Sequence, residues 1–367
     1  MKVLFISLTK NVGGGELSLL SILNKCLFDF LVLPAGKGQF TNLLDKNNIK
    51  YKIINNSDKI SELKKETNFY GKLHALVFYI THVIKFVRDE RFDVIYMNNY
   101  KSFFIGFIIS FIFRSRYILH IRDSFSNSFY ERMILKRFNK IDATFIVNSK
   151  HTLNSVLNTY EINNVKCIYN GIEILKDVPE NIVSDVFEIG VFSRISKIKG
   201  QAELLNSLKH LENKNIRLNF YGDVVHGEKD FFDDLKSMVS DFDFEIIFHG
   251  YVENPLEYMK SMNLVILPTV NSEPFGRVII EAQMLGKIVI SNNLGGPKEI
   301  ITDNVNGFLV DGSISDSYAK AIDSIINNWS DMERISTSAK KNVLYFFSTE
   351  IMTKKVINEI IYENITS

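Results

Sequence analysis

Cysteine is nearly absent from this chain. Cys26 and Cys167 are the only two among 367 residues, and neither belongs to a CxxC or a Cys/His cluster. A disulfide framework or a zinc site is therefore not what organises the fold, and a reducing cytoplasm is the expected setting. An excess of one charge is also missing. With 43 Lys and Arg against 42 Asp and Glu, no global field draws the chain to nucleic acid. Long apolar runs are lacking too. The opening MKVLFISL is shorter than a signal-peptide core and no small-residue cleavage site follows, so it reads as a buried first strand. The most apolar uncharged stretch, Ser102–Phe113, lies between Lys101 and Arg114. It falls short of the roughly 20 residues a membrane-spanning helix needs and is expected to be a buried helix.

What is present is alternation. Short β-branched and aromatic runs predict strands at Lys2–Leu8, Phe28–Leu33, Lys50–Ile54, Asp93–Met97, Arg116–Ile121, Ala143–Val147 and Lys166–Tyr169. Helical patterns lie between most of them. In one, Leu73, Leu76, Val77, Ile80, Ile84 and Val87 recur at three- and four-residue spacing. The polar, Pro179-containing stretch Asp177–Asp185 interrupts the pattern. It then restarts with strands at Phe187–Phe192, Ile216–Tyr221, Phe244–Phe248, Leu264–Leu267, Ile288–Ser291 and Phe308–Val310, and a helical end from about Thr337. Repeated βαβ units mean parallel sheets. We expect an α/β chain of two Rossmann-like domains: residues 1–176, a linker at 177–186, and residues 187–336. The helical tail, 337–367, is available to pack back on the first domain. Open α/β sheets bind ligands beyond the carboxyl ends of their strands, so the two sheets are expected to face a cleft.

Four loops at such strand ends could carry chemistry. Ser272–Ala282, SEPFGRVIIEA, follows the strand ending at Leu267. Pro274 suits the first turn of a helix, with Glu273 just before it and Glu281 about two turns inside. A helical step of that length spans ~12 Å, so the two carboxylates could flank an extended ligand such as a sugar diphosphate but could not form a close acid pair. A helix cap plus one solvated glutamate fits the spacing equally well. The segment Ile189–Gly200, IGVFSRISKIKG, runs from a buried strand into a loop bearing Arg194, Lys197 and Lys199. It is either a basic surface loop or a set of fixed cations stabilising a departing diphosphate, whose charge grows in the transition state. Gly295 and Gly296 precede Pro297 in a strand-to-helix turn that could present backbone N–H groups to an anion. Gly13-Gly14-Gly15 follows the first strand, but it is not GxGxxG. No acidic residue ends the second strand to hold a ribose, so a NAD-dependent oxidoreductase is disfavoured.

The glutamate pair within SEPFGRVIIEA resembles the signature of glycosyltransferase family 4, retaining enzymes of the two-domain GT-B fold. The resemblance spans nearly the whole chain in architecture, and its specific motifs lie between Ile189 and Val310. It implies that Glu281 grips the donor ribose and that Glu273 lies beside the donor sugar. Gly276 and Arg277, in the same motif, are assigned to the donor. Arg194 and Lys199 match the family's "R…KG" cations, with Ser193 where the family usually has Gly. Gly295 and Gly296 match its "GGxxE" loop, and Gly14 and Gly15 its glycine-rich first loop. His120 matches a histidine that contacts the donor sugar, although a lone His is more often structural. Asn148-Ser149 and Asn170-Gly171-Ile172 match cleft-lining positions. Gly222 and Asp223 match a donor-side turn in which Val224 replaces a further Gly. The implied reaction is sugar transfer from a UDP- or GDP-sugar to an acceptor hydroxyl, in bacterial surface polysaccharide or lipopolysaccharide assembly. No metal or other cofactor is expected. The single DxD, Asp241-Phe242-Asp243, precedes a strand instead of following one.

From Arg114 to Lys140 the chain carries seven Lys/Arg against two Asp/Glu, interleaved with Tyr117, Phe125, Phe129, Tyr130 and Phe138. This stretch is either a surface resting on anionic lipid at the inner face of the cell membrane or a solvated helix over core aromatics. No nucleic-acid motif accompanies it. Two other readings of the whole stay open: an epimerase or hydrolase acting on nucleotide sugars, and a non-catalytic partner of a transferase.

Overall fold

The computed structural model describes residues 1–54, 69–123, 128–175 and 185–361. The chain divides into two compact units. One comprises Met1–Gly171 with the residues from Thr349 onward, and the other is Ile172–Ser348. Most of the expected linker, residues 177–184, lies outside the described residues.

Unit 1 is built on β1 (Lys2–Ser7), β2 (Asp29–Pro34), β3 (Val94–Met97), β4 (Arg116–Ile121), β5 (Thr144–Val147) and β6 (Val165–Cys167). They pair in parallel in the order β2-β1-β3-β4-β5-β6. The central strands are apolar and buried on both faces, as parallel strands covered by helices require. On one face Phe103, Ile109, Ile134 and Phe138 come from the helices Tyr100–Ile109 and Phe129–Lys140. On the other lie Leu19 and Ile22 with Met352, Val356 and Ile360 of the helix Thr349–Ile361. Arg116 ties that last helix down by donating to the carbonyls of Glu359 (2.6 Å) and Ile360 (3.2 Å), which satisfies carbonyls left open at a helix end.

Unit 2 is built on β7 (Phe187–Phe192), β8 (Ile216–Tyr221), β9 (Glu245–Gly250), β10 (Leu264–Leu267), β11 (Ile288–Asn292) and β12 (Phe308–Val310). Their order, β12-β11-β10-β7-β8-β9, is again all parallel. The order reverses between β7 and β10, and that reversal opens a crevice beyond their carboxyl ends. In unit 1 the corresponding reversal lies between β1 and β3.

Three expectations change. Lys50–Ile54 is not a strand; it makes one bridge, Tyr51 to Val32. The next residue of β2 facing that edge is Pro34, which has no N–H with which to continue the ladder. The apolar stretch Ser102–Phe113 is buried only as far as Ser110, one residue past the helix end at Ile109. Beyond it Phe111 and Ile112 are 63 % and 53 % exposed. The helix after SEPFG starts at Arg277, not at Pro274, because Gly276 is left-handed (φ +92°). Glu281 is therefore little more than one turn inside it, and the ~12 Å helical span does not apply.

Candidate active site

The crevice between β7 and β10 collects the charged residues singled out in the sequence. The loop after β7 carries Arg194 and Lys199, and the loop after β10 carries Glu273. Lys199 Nζ donates to Glu273 Oε2 at 2.8 Å, with each side chain under a fifth exposed. Shielding from water strengthens the attraction between these two charges, and the cost of having desolvated them offsets much of that gain. Arg194 is exposed, and its side chain has no hydrogen-bond or ion-pair partner among the described residues. Its loop is held from behind. Buried Gln201 donates from Nε2 to Ser193 Oγ (3.1 Å) and to the Arg194 carbonyl (2.9 Å). Gln201 is a residue that sequence reasoning missed; its only signal was a polar side chain directly after Lys199-Gly200.

Glu281 is buried on the helix Arg277–Met284 and accepts from Arg277 Nε at 2.6 Å. A cation in the first turn opposes the helix dipole and, with the glutamate on its C-terminal side, is the weaker orientation of an i,i+4 pair. The local sequence thus accepts a cost that an anionic ligand at this end would offset.

Gly295 and Gly296 act on Glu273. Gly295 is left-handed (φ +70°), and a Cβ there would stand 2.4 Å from the Glu273 carbonyl oxygen. The Gly296 N–H donates to that same carbonyl at 2.7 Å, and Gly295 bridges to Glu273. The helix that follows is a single turn, Pro297–Ile300. The loop's Gly296 amide is therefore spent on the Glu273 loop, not left free for an anion as the sequence suggested. Gly222 and Asp223 follow β8, where the Asp223 carbonyl accepts from the Ile195 N–H at 2.8 Å and joins the two loops.

The residues singled out in unit 1 gather at the carboxyl ends of its own strands. Gly14 and Gly15 open the helix Gly14–Leu23, whose first turn is tied by Glu16 to Ser7 Oγ (3.2 Å) and to the Gly13 N–H (3.2 Å). The Gly15 carbonyl accepts from Asn98 Nδ2 at 3.3 Å. Arg122 is the hub of this group. It donates to Asn170 Oδ1 (2.7 Å), Asn98 Oδ1 (3.0 Å) and His120 Nδ1 (3.1 Å). His120 is buried within β4 and also bonds Tyr96 Oη through Nδ1. Two donors on Nδ1 place the imidazole proton on Nε2, a buried N–H with no hydrogen-bond partner among the described residues. Burial, and secondarily the Arg122 charge, hold the His120 pKa well below its ordinary value. It is a neutral donor, not an acid. Asn148 donates to the Arg122 carbonyl (3.0 Å), and Ser149 caps the next helix.

Comparison with known proteins agrees with both halves. Residues 175–342 match the family "Glycosyl transferases group 1" and residues 55–174 match "Glycosyltransferase Family 4". Together these take in well over half of the chain. The chain belongs to the family 4 glycosyltransferases and has their GT-B two-domain α/β fold. It is therefore a transferase of the EC 2.4 type. Its fold is similar to that of Anabaena HepE, crystallised with UDP and glucose. The TM-score is 0.86 at 27 % identity, covering 98 % of this chain and 99 % of that one. An uncharacterised glycosyltransferase of Methanocaldococcus jannaschii is 28 % identical over 299 residues, 73 % of this chain and 75 % of that one. The capsular polysaccharide biosynthesis glycosyltransferase CapM of Staphylococcus aureus is 28 % identical over 191 residues. The match covers 50 % of this chain and about half, 48 %, of CapM.

Proposed function

We propose that this glycosyltransferase takes a UDP- or GDP-sugar and transfers its sugar, with retention at the anomeric carbon, to an acceptor hydroxyl in bacterial surface polysaccharide or lipopolysaccharide assembly. The observation that carries the donor half is the crevice of unit 2. There the exposed Arg194, the Lys199–Glu273 pair and the buried Glu281 stand around one strand-order reversal. Likeness to HepE, crystallised with UDP, favours UDP as the nucleotide. Likeness to CapM supports the capsular setting.

In this reading Glu281 accepts hydrogen bonds from the ribose hydroxyls, with Arg277, Gly276, Gly222 and Asp223 shaping the nucleotide pocket. Lys199 and Arg194 neutralise the diphosphate. Glu273, fixed through its backbone by Gly295 and Gly296, orients the donor sugar. Gly14 and Gly15 are donor-side residues in this reading, and the His120 Nε2–H is a donor suited to a sugar hydroxyl. The bond from the anomeric carbon to the diphosphate oxygen breaks. The acceptor oxygen bonds that carbon from the same face, and its proton passes to the departing phosphate oxygen. The charge developing on the diphosphate is met by fixed cations, so no metal is required. The acceptor is a glycan or a lipid-linked glycan, reached from a peripheral position on the inner face of the cell membrane. Among the described residues no helix is long and apolar enough to cross a membrane.

The test is release of free UDP or GDP from a panel of nucleotide sugars, with and without a membrane-lipid extract, run beside Glu281→Ala and Arg194→Ala. Release from one donor, raised by the extract and lost in both variants, is expected. Release that ignores acceptor would instead identify a hydrolase, and no nucleotide-sugar binding at all would identify a non-catalytic partner. Proton NMR of the product fixes the anomeric configuration. Activity abolished by EDTA and restored by Mn²⁺ or Mg²⁺ would overturn the metal-free step.

A further inference from the structure

The edge of a sheet is a row of backbone N–H and C=O groups ready to pair with another chain, and folded proteins blunt such edges. Three of the four edges here are blunted. At β2 the Val32 N–H donates to the Lys50 carbonyl (3.2 Å) and the Lys52 N–H to the Val32 carbonyl (2.9 Å), and the strand ends in Pro34. β6 is three residues long with an exposed lysine, Lys166, at its centre. β12 is also three residues long, and its Leu309 N–H is taken by Asp303 Oδ1 at 2.9 Å. β9 is different. It runs for six residues, Glu245–Gly250, none of them buried. Its sequence, EIIFHG, favours strand pairing and has no Lys or Pro to deter it. Among the described residues no loop, turn or side chain pairs with the backbone of its outer edge.

The faces of this strand are fixed. Ile246 and Phe248 pack on the unit 2 core, with Phe248 stacked on Phe220 at 4.9 Å between ring centres. Glu245, Ile247 and His249 share the opposite face. There Glu245 accepts from Arg217 Nε at 2.6 Å, and His249 Nε2 bonds Asn219 Oδ1 at 2.9 Å. A slip of one residue would expose the core side chains, so the register holds. Pairing with β8 is regular from Glu245 to Phe248 and shifts only before Gly250.

We infer that β9 is a self-association edge, on which a second copy of this chain pairs its own β9 antiparallel about a twofold axis at Ile247. Such an axis stands normal to the sheet and keeps every residue on its own face, so opposed residues must come from the same face. Centred on Ile247, the pairing sets Ile247 against its copy, Ile246 against the partner's Phe248, and Glu245 against the partner's His249. The last contact occurs twice and sets each carboxylate against a ring able to carry the matching charge. A centre one residue to either side sets Glu245 against Ile247 or Tyr251 and loses that match. A foreign strand could use the free backbone, but only a second β9 uses the order of acid, isoleucine and histidine along one face.

Sedimentation velocity of the full chain over a dilution series should show a reversible dimer; a monomer at every concentration would overturn the proposal. Ile247→Lys puts two like charges at the axis and should leave only monomer. Position 249 tests the charge match independently. His249→Lys and His249→Glu lose the same stacking on Tyr221 and the same bond to Asn219, and differ in what they set against Glu245. The lysine variant should dimerise about tenfold more tightly than the glutamate variant, the sum of two cross-strand contacts. Equal dimer constants for these two variants would overturn the β9 pairing, as would a dimer that Ile247→Lys leaves intact. If Ile247→Lys fails to fold, as read by urea unfolding, the pair at position 249 decides the matter alone.

Discussion

The two sheets share one plan and differ in what stands at their crevices. In unit 2 the loops after β7 and β10 bring together full charges, Lys199 with Glu273, Arg277 with Glu281, and an exposed Arg194. In unit 1 the carboxyl ends of β3, β4 and β6 bring together mostly neutral groups. Asn98, Asn170, Tyr96 and neutral His120 surround a single guanidinium, that of Arg122. The same topology thus supports two kinds of preorganisation. Fixed charges suit a ligand that carries charge and gains more as it reacts. A network of amides and one part-buried arginine suits hydroxyl-bearing ligands and, equally, the stiffness of the loops that meet them.

The contrast breaks most visibly at Lys199. Lys199→Ala should cut turnover about 100- to 1,000-fold, the cost of removing one preorganised charge from a developing anion. Thermal unfolding of the chain should change little by comparison, because the lysine is not part of either core. A variant with parent turnover would remove the charge-stabilisation argument for unit 2. At Arg122 the balance reverses. Arg122→Ala leaves Asn98 Oδ1 without its donor and takes one of two donors from Asn170 Oδ1, which keeps Ser18 Oγ, and from His120 Nδ1, which keeps Tyr96 Oη, and should cost about 1–3 kcal/mol of stability as read by urea unfolding. If that variant unfolds like the parent, the unit 1 network is decorative.

Unit 2 was the more legible of the two in the sequence, for a physical reason. Its chemistry sits in short loops directly after strongly apolar strands, so Glu273, Glu281, Arg194 and Lys199 stand out against their surroundings. The strands Phe187–Phe192, Ile216–Tyr221, Leu264–Leu267 and Phe308–Val310 could be read to the residue because each is a compact apolar run closed by polar turns. What could not be read was any role carried by backbone geometry. The left-handed Gly276 moves the helix start three residues past Pro274, and Gly296 gives its amide to Glu273 rather than to a ligand. Unit 1 hid its site further. Arg122 looked like part of a basic surface stretch, and only tertiary folding brings Asn98 and Asn170 to it from 24 and 48 residues away.

His120 offers a gentler probe of unit 1. Its pKa is depressed by burial in the folded chain and returns to about 6.5 when unfolded. Above that pH both states leave it neutral, and its contribution does not depend on pH. Below it the unfolded state gains a proton that the folded state refuses. Stability should then fall by about 1.4 kcal/mol per pH unit from this group alone. Urea midpoints measured between pH 7 and 5 should therefore slope less steeply for His120→Asn than for the parent. Parallel slopes would mean that His120 is protonated in place, with Tyr96 and Arg122 rearranged around it.

The smallest effect is expected at the DxD of unit 2. Asp241 and Asp243 lie just before β9, at the amino edge of the sheet, whereas Arg194, Lys199 and Glu273 follow the carboxyl ends of β7 and β10. Asp241 is engaged by Lys209 at 2.9 Å in an exposed ion pair, an interaction worth less than about 1 kcal/mol. Among the described residues no group of three or more His, Cys, Asp or Glu is placed to hold a metal ion. Asp241→Asn with Asp243→Asn should leave UDP release within about twofold of the parent, and its response to added Mn²⁺ unchanged. A loss comparable to that of Lys199→Ala would put part of the donor chemistry at the opposite end of the sheet from the charges assigned to it, and the comparison between the two crevices would have to be redrawn around that edge.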